Sequence, residues 1–185
     1  MKLNVVTHNP GKVREYQLAF DGFGVEMVHV NREYDEVQTA YLEEVVDKGM
    51  KQLHGEGLRD FMIDDSGLFV EALGGFPGVY SAYGQKTIGN AGILKLMEGV
   101  EDRRAVFKCC IGCWVGDERI VVTGKCPGYI LFEERGEGGF GYDPIFTPDG
   151  EHSFAEIPTD EKNVISHRGL ATKMLIDEMK NRGLI

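Results

Sequence analysis

Phe61, Met62 and Ile63 lead straight into two carboxylates, Asp64 and Asp65. A short, unbroken apolar run of this kind suits a strand covered on both faces, as in a sheet flanked by helices. The segment Asp60 to Asp64 is therefore read as a buried strand, set off by Gly55 and Gly57 and ending at the two acids. Upstream, strand and helix patterns alternate. Lys2 to Thr7 carries Leu3, Val5 and Val6, and is followed by a helix with Asn9 as N-cap and Pro10 at its first position. Val13, Tyr16, Leu18 and Phe20 give that helix its apolar surface. A second strand is expected over Gly24 to Val30. A longer helix is expected from about Thr39 to Leu53, with Leu42, Val45, Val46, Met50 and Leu53 spaced by three and four.

Downstream the pattern changes. A Gly-rich stretch from Gly67 to Gly84 leads to a helix over Ile88 to Met97. Between 104 and 132 come strands near 105–115, 119–125 and 129–132, the first two joined by a Gly116-Asp117 turn. A last helix, capped by Ser166, runs to about Arg182. Early alternation and later clustering of strands make this an α/β chain with a mixed central sheet flanked by helices. With 185 residues, no internal repeat and no linker of biased composition, one domain over 1–185 is expected.

Composition removes several functions. A formal charge of −10 disfavours binding to duplex nucleic acid, where basic surface supplies most of the affinity. It leaves room for a phosphorylated small molecule, which needs only local positive charge. No stretch approaches the roughly 18 apolar residues needed to cross a bilayer, and Met1 to Val6 reads as a strand rather than a leader, so no membrane role and a cytoplasmic address are expected. Cys110 and Cys113 have CxxC spacing, but in a strand of period two they face opposite ways. With Cys109 and Cys126 they read as buried free thiols suited to a reducing compartment.

Four constellations carry candidate chemistry. THNPGK, residues 7 to 12, is a strand, a turn and a helix start with an early Lys12; backbone N–H groups and the helix dipole would favour an anion there. DDSG, residues 64 to 67, sets two acids at a strand end, where open α/β sheets place ligands and where Mg2+ would offset their charge. Successive strand residues face opposite ways, so one acid holds the metal while the other serves structure. Glu36 is a possible second ligand, though spacing alone does not separate it from Glu33, Asp35, Glu43 or Glu44. GGFPGVYSAY (74 to 83) and GGFGYD (138 to 143) combine glycines, which let backbone approach a ligand, with aromatics able to stack on a base. SHRG, residues 166 to 169, opens the last helix with a cap, His167 and Arg168 beside backbone donors. There is no HxxxH spacing, no GxSxG elbow and no P-loop.

Read together, these segments resemble the Ham1 family of inosine triphosphate pyrophosphatases. THNPGK is similar to its N-terminal phosphate motif, DDSGLFVEALGGFPGVYSA to its central signature, GGFGYDPIF to its base-loop motif and EKNVISHRGLA to its C-terminal motif. The resemblance implies an elongated mixed α/β fold with two lobes around a nucleotide-binding cleft, assembled as a homodimer. It implies hydrolysis of ITP, dITP and XTP to monophosphate and pyrophosphate, with Mg2+ as cofactor. Residue by residue, it implies that Thr7, His8, Asn9, Pro10, Gly11 and Lys12 hold the triphosphate. Glu36 and Asp65 would serve the metal, Asp65 also being the catalytic base, and Ser66 would touch the substrate. Phe140, Gly141, Tyr142 and Asp143 would surround base and sugar, with Lys162, His167 and Arg168 completing the pocket. Lys48 is a weaker phosphate candidate. His8 departs from the family, where a smaller residue is common. The nearest rival is the Maf-type nucleotide pyrophosphatase, which prefers pyrimidine or modified nucleotides; a non-catalytic nucleotide sensor is the rival from another class.

Overall fold

The computed structural model describes residues 1–185. Six strands form one sheet: β1 (Lys2–Val6), β2 (Glu26–Val30), β3 (Phe61–Val70), β4 (Arg104–Val115), β5 (Glu118–Ile130) and β6 (Phe146–Thr147), in the order β2-β1-β3-β4-β5-β6. β1 pairs in parallel with both β2 and β3, whereas β5 and β6 are antiparallel, so the sheet is mixed as expected. The helices are α1 (Pro10–Ala19), α2 (Leu42–Gly55), α3 (Ser81–Thr87), α4 (Gly89–Leu96), α5 (Thr159–Ile165) and α6 (His167–Asn181). No helix is long and apolar enough to cross a membrane.

The chain divides into two compact units. One comprises Met1–Asp65, Cys110–Gly124 and Ala171–Ile185; the other comprises Ser66–Cys109 and Lys125–Leu170. In the first, α2 buries the predicted stripe of Leu42, Val45, Val46, Met50 and Leu53. Val46 and Met50 press so closely on β4 that a Cβ at Gly112 would lie 2.1 Å from Met50 Sδ and 2.5 Å from Val46 Cγ1. The second unit has its own core, in which Phe107 packs edge-on against Phe146 and Leu68, Ile93, Tyr142 and Phe154 are buried around them.

Four sequence expectations are corrected. β3 does not end at the acids but continues through Ser66 to Val70, with Gly67, Leu68 and Val70 buried beyond them. α2 starts at Leu42 rather than Thr39, because the Thr39 hydroxyl accepts from the Tyr41 N–H at 3.2 Å and donates to Glu44 at 2.6 Å, a local arrangement that competes with helix. The strands expected at 119–125 and 129–132 are one strand, β5, whose strict in-out alternation continues through the exposed Pro127. In α1, Tyr16 and Phe20 are buried but Leu18 is 74% exposed.

All four cysteines are free and buried. Burial raises the Cys113 thiol to about 12 and the Cys126 thiol to about 11, so neither is poised for nucleophilic chemistry. Gly112→Ala is expected to cost about 1–3 kcal/mol through overpacking against α2. Equilibrium denaturation checks this; an unchanged midpoint would mean that the helix and strand are looser than described.

Candidate active site

In the first unit, the pairing of β1 with β3 matches Asn4 with Phe61 and Val5 with Met62, which brings the turn after β1 toward the two acids. Lys12, in the first turn of α1, closes the arrangement: its ammonium donates to Asp64 Oδ2 at 2.8 Å. The Asp64 side chain is 1% exposed and that of Lys12 19%. The adjacent acids thus differ, since Asp64 is buried against a lysine while Asp65 is half-buried on the other side of the strand.

The start of α1 is less open than its sequence suggests. Pro10 has no N–H, the Gly11 N–H is accepted by the Asn9 side chain at 2.8 Å, and the Lys12 N–H by the Asn9 carbonyl at 3.1 Å. The donors expected to be free for phosphate are therefore used internally by the Asn9 cap, and the cation on Lys12 is the group with charge to offer. Thr7 is buried, its hydroxyl accepting from the Asn9 N–H at 3.1 Å, and His8 is engaged with Asn31 at 2.6 Å.

Glu36 lies exposed in the irregular segment between β2 and α2. It shares an electrostatic neighbourhood with Asp64 and Asp65 around the Tyr34 hydroxyl: burial first, and then these three charges, push the Tyr34 phenol far above its ordinary range. No three acidic, His or Cys side chains converge as a complete metal cage. Mg2+ is ordinarily held by one or two carboxylates, with substrate phosphates and water filling the remaining positions. With Lys12 on Asp64, Glu36 and Asp65 have the hard oxygen chemistry that such an ion takes. Lys48 lines a hollow of about 360 Å³ with Glu43, Glu44, Asp47 and Arg119.

In the second unit the loop 138–143 wraps around one carboxylate. Asp143, 3% exposed, accepts from the Phe140 N–H at 2.7 Å and from the Lys162 ammonium at 2.5 Å. Gly139 makes this possible: its φ of 69° is left-handed, and a Cβ there would sit 2.1 Å from the Asp143 carboxylate. Tyr142 is buried with its hydroxyl donating to the Ser81 carbonyl at 3.0 Å, so it serves the loop's foundation and is not a stacking surface. Phe140 is the exposed ring, 52% accessible, with Lys162 5.1 Å and Arg168 5.6 Å from its centroid. Gly141 is at the same turn, and Ser66 is half-buried in β3.

His167 and Arg168 are buried, at 7% and 8%. The His167 ring stacks on Phe107 at 4.7 Å and 9°. Ser166 caps α6 as expected, accepting from the Gly169 N–H at 3.1 Å. What this site offers is an exposed aromatic face flanked by two cations, able to stack on a planar base and to meet electron-rich oxygen.

Residues 3–178 match the profile of the Ham1 family. The chain belongs to the Ham1 family. It is 52% identical over 181 residues to a dITP/XTP pyrophosphatase of Pyrococcus horikoshii, covering 97% of each chain. A dITP/XTP pyrophosphatase of Thermococcus kodakarensis is 51% identical over 97% of this chain and 98% of its own. Among solved structures, the Staphylococcus aureus Ham1 protein superposes with a TM-score of 0.87 at 28% identity, covering 98% of this chain and 100% of that one.

Sequence reasoning missed the Asp64–Lys12 pair, Tyr34, and Phe107 beneath His167. Tyr34 could have been noticed as an aromatic two residues before Glu36 in an acid-rich segment; the other two depend on contacts distant in sequence. Lys12→Met is expected to destabilise the protein by about 2–4 kcal/mol, since it removes the cation paired with a buried carboxylate. Chemical denaturation measures this, and a loss below about 0.5 kcal/mol, the range of ordinary surface changes, would show that the pair is not structural.

Proposed function

We propose that this chain hydrolyses nucleoside triphosphates carrying hypoxanthine or xanthine, namely ITP, dITP and XTP, to monophosphate and pyrophosphate. Near-full-length identity of about half to two proteins named dITP/XTP pyrophosphatase supports the substrate class. The observation that carries the chemistry is the pair of adjacent acids in β3, of which Asp64 is buried against Lys12 and Asp65 is half-buried.

In this reading Glu36 and Asp65 hold Mg2+, which when bound offsets phosphate charge. Asp65 accepts the proton of the attacking water, whose oxygen bonds to the α-phosphorus as the bond to the α–β bridging oxygen breaks and pyrophosphate departs. Lys12, turning from Asp64 or bridging between it and the substrate, meets the negative charge that builds on the leaving group. The turn Thr7 to Gly11 contacts the phosphates, with the Asn9 side chain giving way to release the Gly11 N–H. Ser66 touches the substrate. Phe140 stacks on the base, Asp143 holds Lys162 and the loop in place, and the loop backbone at Gly141 and Tyr142 shapes the pocket.

Selection for a 6-oxo purine follows if Arg168, His167 or a loop N–H donates to that oxygen. An amino group in the same place would leave donor facing donor, a penalty of about a hundredfold in rate. The same reading takes the working form as a cytoplasmic homodimer with no nucleic-acid partner. Four buried free cysteines support the compartment, and a net charge of −10 argues against nucleic acid.

The test is pyrophosphate release from ITP, XTP, dITP, ATP, GTP and dTTP, with Mg2+ and with EDTA. Release is expected from the first three, abolished by EDTA; preference for dTTP would favour a Maf-type enzyme, and silence on all six a binding protein. Arg168→Ala is expected to lower kcat/KM for ITP by at least about tenfold while sparing residual ATP turnover, in keeping with loss of a charged hydrogen bond. Equal losses on both would assign Arg168 to phosphate.

A further inference from the structure

We propose that Phe107 is a positioning residue for base recognition: its ring, held in a buried cluster of phenylalanines, fixes the plane of the His167 imidazole and with it the directions in which the ring nitrogens donate and accept. This rests on the reading above that His167 belongs to the base pocket. Every residue concerned lies in the second unit.

An imidazole poses a problem that its own backbone does not solve. The torsion that turns the ring is broad, without one sharply preferred setting. The nitrogens donate and accept in the plane of the ring, so a plane free to turn gives a polar contact without a fixed direction. A flat neighbour settles the plane, and Phe107 is such a neighbour. The two ring centroids are 4.7 Å apart and the planes differ by 9°, the spacing of an offset stack.

Phe107 can set a plane because its own ring is held. Phe107, Phe146 and Phe154 are all buried. Phe146 meets Phe107 edge-on at 4.7 Å and 68°, and Phe154 lies nearly parallel to it at 5.9 Å and 12°. Phe146 and Phe154 are themselves 5.0 Å apart, which closes a triangle of rings drawn from β4, β6 and the segment before α5. The Lys162 ammonium is 5.4 Å from the Phe154 centroid and 5.1 Å from that of Phe140, so the triangle also reaches the exposed ring. His167 and Arg168, neighbours in sequence, are thus set against different rings, His167 on Phe107 and Arg168 over Phe140. A change at Phe107 removes the support of the first and leaves that of the second.

The experiment measures kcat and KM for ITP and for ATP, with the unfolding midpoint, each variant being assayed at temperatures where it is fully folded. Phe107→Leu keeps the site apolar and removes the flat face. It is expected to raise KM for ITP about two- to tenfold, the worth of one aromatic pair, with kcat and the ATP constants nearly unchanged. Ile93→Val, which thins the same core from α4, should lower the midpoint and leave the preference for ITP intact. In a His167→Ala background Phe107→Leu should cause no further loss of preference, because the group it positions is gone. If His167→Ala loses the preference while Phe107→Leu keeps it, or loses ITP and ATP turnover equally, the role of Phe107 is overturned and His167 stays in the base pocket. An undiminished preference in His167→Ala, or a parent protein that turns over ITP no better than ATP, removes the base-pocket reading and this inference with it.

Discussion

A carboxylate buried inside a strand costs several kcal/mol unless a partner answers its charge, and Lys12 answers Asp64 at 2.8 Å. Much of the first unit is arranged around that pair. β1 must lie beside β3 for α1 to bring its first turn to the acid, and Asn9 must cap α1 for that turn to begin at Pro10. The consequence reaches the chemistry. Asp64 is buried against Lys12 while its neighbour Asp65 is half-buried on the opposite face of the strand, and both acids, with Glu36, act on the Tyr34 hydroxyl. Strand geometry gives two identical side chains, adjacent in sequence, different surroundings.

The second unit solves a different problem with similar economy. An aromatic ring left 52% exposed is useful for stacking only if its backbone does not move, and Asp143 immobilises it by accepting from the Phe140 N–H and from Lys162. Gly139 supplies the left-handed turn and the missing Cβ that let the carboxylate come so close. Tyr142 roots the loop on Ser81, whose own hydroxyl accepts from the Leu68 N–H at 2.8 Å and donates to the Gly78 carbonyl at 2.7 Å. The Gly-rich central signature therefore acts as foundation for the loop that bears Phe140.

Much of this was legible in the sequence because the relevant signals are local. The Asn9 cap and Pro10, the apolar stripe of α2, the Gly116-Asp117 turn and the Ser166 cap each depend on a few neighbouring residues. The true extent of β3 was not legible: two acids look like a strand end when the lysine that neutralises one of them lies 52 positions away. For the same reason the burial of His167 and Arg168 was not legible, since it depends on distant partners such as Phe107. The N–H groups at the start of α1 were misjudged for a subtler reason: the Asn9 side chain that caps the helix also occupies the donor a phosphate would use.

The division between the two acids is tested most directly by comparing Asp64→Asn with Asp65→Asn, following Mg2+-dependent pyrophosphate release from ITP and the unfolding midpoint of each variant in parallel. Asp65→Asn should retain the midpoint of the parent protein and lose turnover by about a hundredfold or more, as expected when a general base is removed, whereas Asp64→Asn should unfold earlier because Lys12 loses its partner. A well-folded Asp65→Asn with near-full activity, or an Asp64→Asn that is inactive at undiminished stability, would contradict the assignment of structure to one acid and reaction to the other.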